Sequence, residues 1–448
     1  MATKIKAIKC PQCGSTQQTE TRPNYFRCNS CGTEYFIDNE NDITITHKYD
    51  IPVEQKYGIP NNPPQFKKVI ATIAIACGII LLLSFLPSLL FSHKNKNNTA
   101  YNQTKSSKRS KEKTLKWDYA KNFGFETVNK QSIFVVVGTR QSNDRSSESR
   151  NLFAGFYDAV SGKEIKIQEL NITLGTRNHF EFAFRRFENG DCYCIINEKK
   201  LLKIDRQYIN IEEVSPDTYK DIEELNAGIA KIQFAYSGDG DGFRILTNEG
   251  KERYYYPLIQ KVYTKDQFYK ANGGFSTIPP NSPVKTAFVF SRIDSDYPDE
   301  KIQLVKYQYK YSTGYPKDSP NFKWRKDYHN NGRKSFINEY GMNDARIVSY
   351  TDFTPDRLYF DSKVLAYNEQ EVVISFRSSP AEDAPISIQS LDVKTAKILW
   401  TTPIDEKIYI YDDNSLITNS GYFIGGNIYD LFLDKNGKIV NKFKPRDL

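Results

Sequence analysis

The chain has 448 residues, of which 39% are hydrophobic, 26% charged and 14% aromatic, with a formal net charge of +8. That balance excludes collagen-like, coiled-coil and wholly disordered classes, and the length allows more than one domain. Histidine is scarce: His47, His93, His179 and His329 lie in four different regions, so no histidine-based catalytic or metal cluster is expected.

Residues 1–45 hold four of the seven cysteines. Cys10 and Cys13 form one Cys-x-x-Cys pair, and Cys28 and Cys31 form another. Two tight turns of this kind aim four thiolates at one point, which is the tetrahedral geometry of structural zinc. Gly14 and Gly32 follow the second cysteine of each pair, where the chain must turn sharply. Tyr25, Phe26, Tyr35 and Phe36 are available to cover the hairpins. So short a segment buries too little apolar surface to fold alone, and metal ligation supplies the difference. Two disulfides are the alternative reading. The stretch resembles a rubredoxin-like zinc ribbon, and Cys10, Cys13, Cys28 and Cys31 match the four ligand positions of that pattern. The resemblance implies one structural zinc per chain and no activity. Residues 1–66 carry seven basic and seven acidic side chains, so the ribbon lacks the basic face that nucleic acid requires.

Residues 46–68 contain Pro52, Pro60, Pro63 and Pro64 and read as a semi-rigid linker. Residues 69–91, VIATIAIACGIILLLSFLPSLLF, carry no charge over 23 positions. That length spans a hydrocarbon core of about 30 Å, so one transmembrane helix is expected. Residues 92–116 hold eight basic side chains and one acidic one, and are expected to form a disordered tether near anionic lipid headgroups. Residues 117–448 balance 45 basic against 46 acidic side chains, so the chain is basic only beside the bilayer.

Orientation is contested by two arguments. Six basic residues in 92–111 against three in 49–68 place the C-terminal domain in the cytoplasm. Reduced thiols on zinc place the ribbon there instead. The thiol argument is preferred: ribbon cytoplasmic, C-terminal domain extracytoplasmic, the whole anchored in the cell membrane.

Residues 117–448 are rich in Tyr, Phe, Ile and Val. Short apolar runs such as SIFVVVGTR from Ser132, NLFAGFYDA from Asn151, CYCIINEKKLLKI from Cys192 and EVVISFRSS from Glu371 alternate with turn clusters, an all-β pattern. One turn recurs: YDAVSGKEIKI with Asp158 and Gly162, LTNEGKERYYY with Gly250, LDVKTAKILW with Asp392 and Thr395, and LFLDKNGKIVNKF with Asp434 and Gly437. LLKIDRQYINI with Asp205 is a looser copy. Neighbouring copies lie 47 residues (Asp158 to Asp205) and 42 residues (Asp392 to Asp434) apart, the size of a four-stranded propeller blade. That spacing predicts about seven blades, with tandem β-sandwich domains as the alternative. A closed ring is expected to pair its last blade with a strand near residue 117 or 133.

The turn resembles the repeat of pyrroloquinoline-quinone-type propellers, in which Asp-x-x-Thr-Gly-Lys leads to a Trp. SLDVKTAKILW, Ser390–Trp400, is the best match, with Ala396 where Gly is usual. The quinone enzymes' adjacent cysteine pair is absent, so their activity is not implied. Cys192 and Cys194 fall two apart on a strand and share a face, as buried thiols or a dithiol site. SGDGDGF, with Asp239 and Asp241, reads as a hairpin turn or the start of a calcium loop.

No phosphate-cradling glycine loop or nucleophile elbow is present. The expectation is a single-pass scaffold or sensor whose propeller binds a protein or glycan without catalysis. A propeller enzyme with an unrecognised site and a ribbon-based transcription-linked regulator are the alternatives.

Overall fold

The computed structural model describes Cys10 and residues 16–22, 25–29, 34–36, 116–141, 151–172, 180–328, 331–381, 383–404 and 408–448. The linker, the apolar segment 69–91 and nearly all of the tether lie outside these residues. Among the described residues no helix is long and apolar enough to cross a membrane.

In the N-terminal region β1 (Gln18–Arg22), β2 (Tyr25–Cys28) and β3 (Glu34–Phe36) form a three-stranded antiparallel sheet.

From residue 116 onward the chain builds, in sequence, the six blade sheets of a six-bladed β-propeller and one separate hairpin. Blade 1 is β4 (Lys116–Glu126), β5 (Ser132–Gln141), β6 (Leu152–Asp158) and β7 (Glu164–Leu170). Blade 2 is β8 (Phe182–Arg186), β9 (Cys192–Ile196), β10 (Lys200–Asp205) and β11 (Asn210–Glu213). Blade 3 is β12 (Ile229–Phe234), β13 (Phe243–Thr247), β14 (Glu252–Tyr256) and β15 (Lys261–Thr264), and it runs into the short helix α1 (Lys265–Ala271). Thr264 and Gln267 close a capping box on that helix.

Blade 4 departs from the pattern. β16 (Val284–Phe290), β17 (Leu304–Lys310) and β20 (Ile347–Asp352) form a three-stranded sheet. A separate hairpin, β18 (Phe322–Asp327) with β19 (Arg333–Asn338), is inserted before its last strand. Blade 5 is β21 (Phe360–Tyr367), β22 (Glu371–Arg377), β23 (Ile386–Asp392) and β24 (Ile398–Ile404). Blade 6 is β25 (Ile410–Ile417), β26 (Tyr422–Gly426), β27 (Asp430–Leu433) and β28 (Ile439–Phe443).

The count is six blades, not seven, and the sheets are not tandem sandwiches. The repeat spacing of 42 to 47 residues does not extend through blade 4, whose strands span residues 284–352 because of its long connections and inserted hairpin.

The apolar runs acquire their meaning from the ring. A strand inside a blade is buried on both faces, so alternate residues meet different neighbours. On β5, Ile133, Val135 and Val137 pack toward blade 2, while Phe134 and Val136 pack toward blade 6. On β9, Cys192, Cys194 and Ile196 join the core with blade 1, while Tyr193 and Ile195 join the core with blade 3. On β22, Val373 faces blade 6, and Val372, Ile374 and Phe376 face blade 4. Unbroken apolar runs result.

The recurring aspartates all sit where the third strand of a blade turns into the fourth. Asp392 Oδ1 accepts from the Thr395 amide at 2.7 Å and from Thr395 Oγ1 at 2.7 Å. Asp158 Oδ1 does the same with the Ser161 amide and hydroxyl at 2.7 and 2.8 Å. Asp205 accepts from the amides of Gln207 and Tyr208, and Asp434 from those of Asn436 and Lys438. Each turn then needs one left-handed residue: Gly162 at φ +70°, Ile209 at +51°, Ala396 at +56° and Gly437 at +79°. Gly250 is an exception to the expected repeat, because it joins the second and third strands of blade 3. Trp400 of β24 lies on Gly437 in the blade 6 turn, where a Cβ would enter the indole ring.

The ring closes by packing of one blade on another. β28 pairs with β27, and β4 with β5, so no strand crosses between the last and first blades. The last blade packs beside the strands at Trp117 and Phe134 as expected, but by contact of faces and not by strand pairing. Phe134 stacks on Phe443 at 4.2 Å and meets Phe423 edge-on at 4.8 Å. Ser132 Oγ donates to Thr418 Oγ1 at 2.8 Å, and the Asn419 amide donates to Glu126 Oε1 at 2.6 Å. Asn122 Nδ2 donates to Asp430 Oδ2 at 2.6 Å, and the Gly426 amide donates to Asp430 Oδ1 at 3.0 Å.

Two outcomes follow from this geometry. Ala396 bears a Cβ at a left-handed position, which costs roughly 1 kcal/mol. Ala396→Gly should raise stability by about 0.5–1 kcal/mol in chemical denaturation, and a loss of stability would contradict the turn assignment. Burial pushes the Asp430 carboxyl up to about 7. The folded chain thus keeps a proton that the unfolded chain releases near pH 4. Stability from this group is full at low pH and is lost as pH rises toward 7. Relative to wild type, Asp430→Asn should gain stability between about pH 4 and pH 7, and parallel profiles would contradict it.

Candidate functional site

Five of the six seams between blades share an apolar cluster: blades 1 and 2, 2 and 3, 4 and 5, 5 and 6, and 6 and 1. Among the described residues no such cluster spans blades 3 and 4. There, Tyr254, Tyr256, Tyr263 and Phe268 form one group on the blade 3 side, and Tyr307, Tyr309, Tyr311 and Phe322 belong to another on the blade 4 side. The seam between them is polar. Arg346, only 2% exposed, bridges it by donating to the carbonyls of Ala271 at 2.8 Å, Gly274 at 2.9 Å and Pro316 at 2.9 Å, and to Thr277 Oγ1 at 2.9 Å. These are charge-assisted bonds to groups that would otherwise be costly to bury.

The SGDGDGF stretch lies at this seam. It is the connection from β12 to β13, as the hairpin reading expected. Tyr256 Oη donates to the Asp239 carbonyl at 2.8 Å, and the Lys317 amide donates to the same carbonyl at 3.1 Å. A Cβ on Gly240 would come 2.8 Å from the Tyr315 carbonyl, so this approach of blade 3 to blade 4 requires glycine. Asp241 Oδ2 accepts from the Glu188 amide of blade 2 at 2.6 Å. Burial raises the carboxyl pKa of both Asp239 and Asp241, and Asp318 adds to the effect at Asp239.

Cations face these carboxylates. Arg185 donates to the Ala235 carbonyl and, at 3.3 Å, to the Tyr236 carbonyl, and burial lowers its pKa. Lys285 pairs with Glu188 and donates to Thr313 Oγ1 at 2.8 Å. Lys317 is half-buried, and burial lowers its pKa against the pull of Asp241 and Glu188. Its ammonium stands 5.1 Å from the Tyr311 ring centroid, and Lys285 stands 5.0 Å from the same ring. Tyr236, at the start of the loop, is 72% exposed. The set is rich in hydrogen-bonding groups and nearly balanced in charge.

The remaining candidates sit elsewhere. Cys192 and Cys194 are both buried in the core between blades 1 and 2, and neither is in a disulfide. Burial pushes the Cys192 thiol up to about 11 and raises that of Cys194 further. Cys10 and Cys28, one from each Cys-x-x-Cys pair, are buried in one cluster with Phe26, and Ile398 of β24 packs against it. Cys13, Cys31 and all four histidines lie outside the described residues. Among the described residues no three metal-ligating side chains gather, at Asp239 and Asp241 or elsewhere.

Sequence reading flagged Asp239 and Asp241 but missed Arg185, Glu188, Lys285 and Lys317. They come from separate blades, and nothing in their local sequence marks them.

No family model matches the chain, and no curated protein matches it. Among solved structures, the chain is similar to one described as the Dos1 propeller, at 12% identity over 74% of this chain and 76% of that chain, with a TM-score of 0.22. It is also similar to YCF48 bound to D1 peptide, at 11% identity over 70% of this chain and 97% of that chain, with a TM-score of 0.28. These likenesses carry no correspondence of site residues.

Proposed function

We propose that the chain is a membrane-anchored recognition protein whose propeller binds a protein or glycan partner and does not catalyse. The observation that carries this reading is the polar seam between blades 3 and 4, where Lys317, Asp239 and Asp241 lie on a closed and otherwise apolar-packed ring. Residues 69–91 supply the anchor and residues 92–116 a basic tether along anionic headgroups. Cys10, Cys13, Cys28 and Cys31 hold one structural zinc, which supplies folding free energy to the ribbon. The joint burial of Cys10 and Cys28 supports that ligand set. The Asp-anchored turns and the packing of Trp400 on Gly437 support a blade of the pyrroloquinoline-quinone type.

Thiol chemistry favours a cytoplasmic ribbon and an extracytoplasmic propeller. The packing of Ile398 against the Cys10–Cys28 cluster favours a second arrangement, with both on one side of the bilayer. One set of preparations tests the anchor, its orientation and the metal. Ser107→Cys in the tether should react with a membrane-impermeant thiol reagent on intact cells, above the wild-type background. Protection until lysis would put the propeller inside. The purified full chain should contain about one equivalent of zinc, and Cys13→Ser should lose it while the propeller melts as before. A zinc-free wild type would contradict the ribbon.

A further inference from the structure

The seam between blades 3 and 4 carries groups that the fold leaves unmatched. A lysine ammonium has three donors and no acceptor. Lys317 Nζ has its Tyr311 ring contact but no hydrogen-bond or ion-pair partner among the described residues. Asp241 spends one oxygen on the Glu188 amide, and its other oxygen meets no donor among the described residues. The Asp239 carboxyl is half-buried and meets only the Tyr236 backbone. Polar groups this crowded are costly unless water or a ligand completes their bonds.

The chemistry of a ligand follows from the balance. Arg185 and Lys317 face Asp241, Lys285 and Lys317 face Glu188, Arg185 also faces Asp239, and Asp318 beside Asp239 faces Arg346, four cations against four carboxyl groups. A site with no cationic excess does not select phosphate or another strong anion. It asks for a neutral molecule that both donates and accepts at adjacent positions, and the hydroxyl is the group that does so. Tyr236, 72% exposed, supplies an aromatic ring at the edge of the same loop, with the Arg244 guanidinium 6.0 Å from its centroid and the rest of the ring open. We propose that this seam binds a neutral oligosaccharide. Sugar hydroxyls donate to Asp239 and Asp241 and accept from Lys317, while a C–H face of the sugar lies on Tyr236. This assignment rests on the reading of the propeller as a recognition domain.

The test uses the full chain in nanodiscs, titrated calorimetrically with maltotetraose, cellotetraose and chitotetraose, and with trigalacturonate as the charged comparison. At least one neutral sugar should bind more tightly than trigalacturonate. Tyr236→Ala and Lys317→Met should each weaken that binding at least tenfold. Lys317→Met removes a poorly solvated charge and should fold, which its melting curve checks. Three results overturn the proposal: no neutral sugar binds, trigalacturonate binds more tightly, or both variants bind as wild type does. If no sugar binds but a protein partner is lost on Tyr236→Ala, the oligosaccharide assignment falls and the recognition reading stands.

Discussion

The structure depends on the joint between the first and last blades, where Phe134 stacks on Phe443. Four strands of blade 1 come from the start of the domain and four strands of blade 6 from its end, so no shared strand fastens the ring. Side chains do the fastening. Phe423 adds a second ring to Phe134, and Gly124 leaves the space that Phe423 occupies. The hydrogen bonds of this seam join residues 282 to 308 positions apart. For such distant contacts, closing so long a loop costs entropy before any contact repays it. Without them, blade 1 and blade 6 would each expose an aromatic face.

Against that background the polar seam has a physical logic. A ring held by five apolar seams tolerates one seam built from hydrogen bonds. Arg346 makes this possible, because one guanidinium satisfies three carbonyls and a hydroxyl that a hydrocarbon core would strand. The tyrosines on either side keep their apolar rings in each blade. Polar and charged groups then reach the seam with little loss to the apolar core. The inserted hairpin and the long connections of blade 4 belong to the same irregular quarter of the ring.

How much of this was legible follows from where each signal lives. The strands around Ser132, Cys192 and Glu371 were legible because a two-faced buried strand leaves an unbroken apolar run. The turns at Asp158, Asp392 and Asp434 were legible because the side chain caps amides two to four residues ahead, a purely local bond. Asp205 was the loosest copy by sequence, yet its turn has the same form, with Ile209 forced into the left-handed region. The blade count was not legible, since blade 4 carries no copy of the turn and its insertion stretches the period. The Gly250 copy misled because a glycine turn serves any pair of adjacent strands. The seam site was legible only at Asp239 and Asp241, because its cations come from other blades.

The propeller requires closure of its first blade on its last, and deletion of residues 425–448 tests that closure most directly. That deletion removes β27, β28 and Phe443 but leaves blades 1 to 5 with all their own strands. Hydrogen exchange across the whole chain should then show protection lost in blade 1, at Phe134 and its neighbours, together with loss of the cooperative melting transition. Retention of the full melting temperature, with blade 1 protected as before, would contradict a ring closed by packing of its two ends.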